Sequence, residues 1–263
     1  MIKVLVNGAY GRMGQAVVKA VLEDKDLELV GAVDIVGDGD AGEVVGLPKC
    51  GVSFTRDLQT TIDDVKPQVM VDFTIPDVVF GSAQVALKNK VAPVIGTTGL
   101  SDEQKQELAK LAETNDTPVF IAPNFAIGAV LMMQMAKQAA KYMPEVEIIE
   151  LHHDKKLDAP SGTALQTAAL ISEVRKAHVQ GNPNEMEKVA GARGADVDGM
   201  HIHSVRLPGY VAHQEVIFGG LGQTLTIRHD SLNRESFMPG VCLAAKSILG
   251  HKGLIIGLDK FMD

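Results

Sequence analysis

The residues best suited to chemistry lie in one polar stretch, Glu150-Leu151-His152-His153-Asp154-Lys155-Lys156-Leu157-Asp158-Ala159-Pro160-Ser161-Gly162-Thr163. It holds two histidines, two lysines and a Ser-Gly-Thr that opens a helix. A helix N-terminus leaves backbone N–H groups without internal partners and carries a positive dipole end, so Ser161, Gly162 and Thr163 form an anion site. Lys156 adds a full positive charge. His152 and His153 can donate protons near neutral pH. An anion cradle, a cation and an imidazole acid suit reduction of an unsaturated acid, with the carboxylates clamped while a proton reaches the carbon skeleton. The competing reading is a solvated loop whose Ser-Gly-Thr only caps a helix. Zinc ranks low, because adjacent side chains rarely face one ion and no cysteine lies nearby. His201 and His203 share a strand face, but two ligands do not make a site, and no metal is expected.

A second constellation stands at the other end of the chain. Gly8-Ala9-Tyr10-Gly11-Arg12-Met13-Gly14 follows an apolar strand and opens a helix. Gly11 lets backbone approach a pyrophosphate, and Gly14 lets the helix pack close on the strand. The usual Gly-x-Gly-x-x-Gly frame has Ala9 at its first position, beside Gly8. Asp34 ends the second strand 20 residues after Gly14, near the spacing of a carboxylate that binds ribose hydroxyls. The competing reading is a glycine turn in a flavodoxin-like fold without a cofactor. Asp34 favours NADH over NADPH by repelling a 2′-phosphate, and Arg12 offsets this in part. The turns Phe73-Thr74 and Gly96-Thr97-Thr98-Gly99 sit at further strand ends of the same sheet, where ligands of open α/β sheets bind.

The elements that must carry these groups follow from periodicity. Ile2–Val6, Leu27–Val33, Val69–Phe73, Pro93–Ile95 and Val119–Ala122 are continuous apolar runs, as in a parallel sheet covered on both faces. Between them Met13, Val17, Val21 and Leu22 share a helix face, and Ser101 with Gln104 forms a capping-box pattern. Past Asn124 the texture changes. A helix rich in methionine (Leu131, Met132, Met133, Met135, Met143) serves core packing. A strand Val146–Leu151, the polar loop His152–Gly162 and a helix Thr163–Ala177 come next. An irregular connection from Gly181 to Gly199 leads to strands His201–Leu207, Val211–Phe218 and Gln223–His229, joined by Pro208-Gly209 and Gly219-Gly220 turns. Ser236–Leu249 reads as a helix and Leu254–Leu258 as a last strand.

Composition bounds the function. The 263-residue chain is 46% hydrophobic, enough to bury a core, but only 4% aromatic with no Trp. Its net charge of −8 disfavours nucleic acid and anionic membranes as partners. Cys50 and Cys242 lack a CxxC spacing and read as reduced thiols of a cytoplasmic protein. The N-terminal apolar stretch is too short for a signal peptide, and no apolar run reaches membrane-spanning length.

His152-His153-x-x-Lys156-x-Asp158-Ala159-Pro160-Ser161-Gly162-Thr163-Ala164 resembles the signature of the 4-hydroxy-tetrahydrodipicolinate (dihydrodipicolinate) reductases of lysine and diaminopimelate biosynthesis. The resemblance extends through Gly8–Gly14, Gly96–Gly99, Ala122–Phe125, Val205–Gly209, His213–Glu215, Arg228–Ser231 and Phe237–Gly240. It implies an α/β fold: a Rossmann-type doubly wound parallel sheet plus an α+β domain with an open mixed sheet. The implied boundaries are residues 1–125 with 239–263 for dinucleotide binding and 126–238 for substrate binding and homotetramer assembly. Implied roles are His152 as catalytic acid/base and Lys156 as second proton donor and carboxylate ligand. His153, Ser161, Gly162 and Thr163 would bind a small dicarboxylate. Gly8, Ala9, Tyr10, Gly11, Arg12, Met13, Asp34, Gly96, Thr97, Thr98, Ala122, Pro123, Asn124 and Phe125 would hold NADH or NADPH. Ala126 departs from the serine often found after Asn-Phe, and Tyr10 is a local variant in the glycine turn. Two rivals remain: another dehydrogenase of the same plan, acting on aspartate or homoserine, and a non-enzymatic NAD(H) sensor. The expected geometry brings the dinucleotide across a cleft to a ring held by residues 152–163.

Overall fold

The computed structural model describes residues 1–176 and 178–262. The chain divides into two compact units, Met1–Ala126 with Phe237–Asp263, and Ile127–Ser236.

The first unit is a seven-stranded sheet in the order β12-β6-β5-β4-β1-β2-β3, with every pairing parallel. Its strands are β1 (Ile2–Asn7), β2 (Leu27–Val33), β3 (Phe54–Thr55), β4 (Val69–Asp72), β5 (Ala92–Ile95), β6 (Val119–Ile121) and β12 (Leu254–Ile256). The helices are α1 (Arg12–Glu23), α2 (Ala41–Val44), α3 (Leu58–Val65), α4 (Pro76–Lys88), α5 (Asp102–Thr114) and α8 (Met238–Ser247). β4 and β5 are buried at every residue, which is why they read as unbroken apolar runs. On one face Val79, Ala83 and Leu87 of α4 and Leu108 of α5 bury against Ile95, Val119 and Ile121. α1 and α8 pack together, and Lys246 reaches Asp24 at 2.7 Å. The C-terminal segment therefore completes this unit. The Ser101–Gln104 capping box forms with both of its bonds. The chain reverses its direction of travel along the sheet between β1 and β4, and this switch point places the ends of β1, β4, β5 and β6 side by side.

The second unit holds a five-stranded mixed sheet in the order β11-β10-β7-β9-β8. Its strands are β7 (Glu145–His152), β8 (Ala195–Val197), β9 (Met200–Arg206), β10 (Ala212–Gly220) and β11 (Gln223–Ser231). The helices are α6 (Ile127–Ala140) and α7 (Gly162–Ser172). They cover the face that buries Val146, Ile148, Val216 and Phe218.

Several expectations shift. β7 runs to His152, so this histidine ends a strand instead of beginning a loop. The expected Gly219-Gly220 turn lies inside β10, and the hairpin closes at Leu221-Gly222, where Gly222 supplies φ +69. The helix expected over Ser236–Leu249 is α8 between two 3-10 turns, because Pro239, lacking an N–H, fits only its first turn. Met132 and Met133 are core, but Leu131 and Met135, four residues apart on one helix side, are exposed. Met143 lies past the end of α6. The irregular stretch before Gly199 contains the edge strand β8. Helix α7 ends at Ser172; Ala177, the expected end, lies outside the described residues, as does Asp263.

Candidate active site

In the first unit, all the predicted cofactor segments lie at the carboxyl ends of adjacent strands. Gly8 follows β1, Asp34 follows β2, Phe73-Thr74 follow β4, Gly96-Thr97-Thr98 follow β5 and Ala122–Phe125 follow β6. The glycine turn is shaped by close approach. Gly8 has φ +76, and a Cβ there would stand 2.7 Å from the Phe73 carbonyl oxygen. A Cβ on Gly14 would stand 2.0 Å from the Gly8 oxygen. Gly8, Gly11 and Gly14 thus present no side chain where the first N–H groups of α1 emerge, which fits the pyrophosphate of a dinucleotide. Asp34 accepts hydrogen bonds from the N–H groups of Tyr10 (2.9 Å) and Val36 (3.1 Å). Its carboxylate therefore ties the glycine turn to the end of β2, in addition to the ribose role the spacing suggested. Tyr10 stacks edge-on against Phe54 at 5.3 Å. Gly96 is overlain by the Phe73 ring, which would lie 2.2 Å from a Cβ, and Phe73 lies 5.7 Å from Phe125.

Sequence reading missed the group beneath these turns. Asp72, fully buried at the end of β4, accepts from Asn7 Nδ2 (2.8 Å), the Thr74 hydroxyl (2.7 Å), the Thr74 N–H (3.0 Å) and the Thr97 hydroxyl (3.0 Å). Burial pushes its carboxyl above the usual carboxylate range, and these donors pull partly back. Thr97 thus points its hydroxyl inward, bracing strand ends. The available signal was a lone acid closing an otherwise apolar strand.

In the second unit the polar stretch assembles around another missed acid, Glu150, whose side chain is wholly buried. Its Oε2 lies 2.5 Å from His152 Nδ1. Arg206 of β9 forks onto it, NH1 to Oε2 at 2.8 Å and NH2 to Oε1 at 2.7 Å. The Ser161 N–H donates to Oε1 at 3.2 Å. Burial pushes the Glu150 carboxyl up, but hydrogen bonds from His152, Arg206 and Ser204 prevail and hold it at about 2. Glu150 and His152 are two apart on one strand and share a face, a relation visible once β7 extends to His152. His152 pairs in register with Arg206 on one side and Ala212 on the other.

The remaining predicted residues lie nearby along the chain. The Ser161 hydroxyl caps α7, accepting from the Ala164 N–H at 3.2 Å. Because Glu150 takes the Ser161 N–H, the backbone donors of the cradle begin at Gly162 and Thr163, in the first turn of α7. Lys156 donates to Asp158 at 2.7 Å, and Arg206 also donates to the Asp158 carbonyl at 2.8 Å. His153 is exposed. Among the described residues no cluster of histidine, cysteine or acid side chains could hold a metal ion, and no helix is long and apolar enough to cross a membrane.

Residues 2–125 match the domain described as dihydrodipicolinate reductase, N-terminus, and residues 128–262 match dihydrodipicolinate reductase, C-terminus. The chain belongs to the dihydrodipicolinate reductase family. Proteins named 4-hydroxy-tetrahydrodipicolinate reductase from Desulfitobacterium hafniense and Halalkalibacterium halodurans are each 54% identical to it over 100% of this chain and 99% and 100% of theirs. The structure of a dipicolinate-bound dihydrodipicolinate reductase from Paenisporosarcina sp. TG-14 has a TM-score of 0.89, 51% identity and 99% coverage of both chains. An amine dehydrogenase from Mycobacterium smegmatis, 14% identical with a TM-score of 0.68 over 98% of this chain and 95% of that one, shares the fold alone. As a member of this family, the chain is an oxidoreductase of lysine and diaminopimelate biosynthesis. It uses a nicotinamide dinucleotide.

Proposed function

We propose that the first unit binds NADH or NADPH through Gly8 to Met13, Asp34, Gly96 to Thr98 and Ala122 to Phe125. The second unit then holds the dicarboxylate ring of the unsaturated imine formed when 4-hydroxy-tetrahydrodipicolinate loses water. A nicotinamide held by these residues would supply hydride to a ring carbon conjugated to the C=N bond. The enamine left behind must take up a proton, and His152 donates it from Nε2, since its Nδ1 faces Glu150. One substrate carboxylate sits at the first turn of α7 with Gly162 and Thr163. The other is met by Lys156, which exchanges Asp158 for it and serves as second proton donor. His153 and the Ser161 hydroxyl complete the substrate contacts. The observation that carries this reading is that His152 and the start of α7 bond the same carboxylate, so acid and anion site are neighbours.

His152→Ala and Lys156→Ala should each lower turnover by about two to four orders of magnitude. NADH binding, measured by fluorescence titration, should persist in both. Full turnover in both variants would remove these assignments. Asp34 sets a preference for NADH with NADPH also accepted, and kinetics showing a strict NADPH requirement would overturn it. The bare face of the five-stranded sheet is the surface for assembly into a homotetramer in the cytoplasm, to be checked by sedimentation.

A further inference from the structure

We propose that Glu150 is a positioning residue that sets both the working nitrogen of His152 and the seat of the substrate carboxylate, with Arg206 balancing its charge. This deepens the reading above and rests on it. Three strands of geometry meet at one buried side chain. Glu150 fixes the imidazole by Nδ1 at 2.5 Å, leaving Nε2 as the only nitrogen that can serve the ring. It holds the entrance of α7 through the Ser161 N–H at 3.2 Å, which sets where the first-turn donors of that helix point. Through the Arg206 fork it holds the loop between them, because the same guanidinium NH2 that bonds Oε1 donates to the Asp158 carbonyl.

The charges explain why both partners are present. Glu150 alone would hold the imidazole strongly in its cationic form. Arg206, bound to both oxygens, takes up much of that charge. The charged groups around His152 are few. β7 supplies Glu150, β9 supplies Arg206, and the loop supplies His153, Lys156 and Asp158. β10 opposes it with Ala212 and then Gln214, neither of which titrates. The first turn of α7 carries no acid.

Removing either partner should move the kcat–pH profile, and in opposite directions. In Glu150→Gln the amide oxygen can still accept from Nδ1 but the negative charge is gone. Its basic limb should move to lower pH by about one unit or more, with kcat reduced about 10- to 100-fold and KM for the dicarboxylate raised. In Arg206→Met the carboxylate is left to His152 alone, and the same limb should move to higher pH. A role confined to folding would lower the amount of active enzyme without shifting the limb either way. In the His152→Ala background, Glu150→Gln should raise KM but leave kcat where His152→Ala put it, because the two residues act as one. The unaltered enzyme gives an independent readout: with 15N-labelled histidine, the neutral His152 ring should carry its hydrogen on Nδ1. A profile unmoved in both variants, or a hydrogen on Nε2, would overturn the proposal. If instead His152→Ala retains full turnover, the reading of His152 as the acid fails first, and the two failures are told apart.

Discussion

Replacing Gly14 by alanine tests the cofactor half of the molecule most sharply. The helix residue itself tolerates alanine, since its φ is not in the left-handed region. The obstacle is the preceding turn. The new Cβ would lie 2.0 Å from the Gly8 carbonyl oxygen and 2.7 Å from both the Gly8 carbonyl carbon and Ala9 Cα, against ordinary contacts of 3.4–4 Å. All three neighbours are backbone, so no rotamer change relieves the overlap, and the turn must separate from α1 by more than 1 Å. Overpacking of this kind costs about 1–3 kcal/mol of stability. The larger effect falls on the cofactor. Donors to a phosphate work within about 2.7–3.2 Å, and a displacement on this scale takes at least one of them out of range. A lost hydrogen bond to a charged group is worth about 1.5–3 kcal/mol, or roughly a 10- to 100-fold rise in Kd. The assay is NADH fluorescence titration beside thermal unfolding, with binding of a pyridine dicarboxylate as control. That control should be unchanged, because the second unit supplies the dicarboxylate site. An unchanged Kd for NADH with an unchanged Tm would show that the close packing of α1 on Gly8 is not what the dinucleotide uses.

Gly81→Ala should behave in the opposite way: Gly81 lies inside α4 with nothing within 4 Å of a built Cβ, so alanine should stabilise the protein by about 0.5–1 kcal/mol, read as a raised Tm. Glu150 should contribute to stability in a defined pH window. Its folded-state carboxyl is lowered from 4.5 to about 2, so the contribution, on the order of 3 kcal/mol, is full above about pH 4.5 and lost as pH falls toward 2. Urea unfolding of the parent and Glu150→Gln should therefore differ most at neutral pH and converge in acid; a constant gap would contradict the linkage. Cys242, buried and with its thiol pushed up to about 11, should resist alkylation of the native protein at pH 8 while reacting after denaturation, as mass spectrometry would show.

The sequence by itself determined the architecture of the first unit, because its information is local. Apolar runs of strand length, a glycine turn between Val6 and Met13 and a capping box at Ser101 each announce one element, and parallel strands buried on both faces leave little freedom of order. It also singled out the residues of the polar stretch to which the proposed chemistry is assigned, since an imidazole, an ammonium and a helix N-terminus are recognisable by type. Tertiary structure decided how those groups are held. Asp72 and Glu150 look unremarkable in sequence, one closing an apolar strand and the other preceding a histidine pair. Their partners lie far away in the chain: Thr97 is 25 residues from Asp72, and Arg206 is 56 residues from Glu150. Strand pairing alone brings them together. A buried carboxylate needs its donors within about 3 Å, and no periodicity within one element can specify a donor that arrives on another strand.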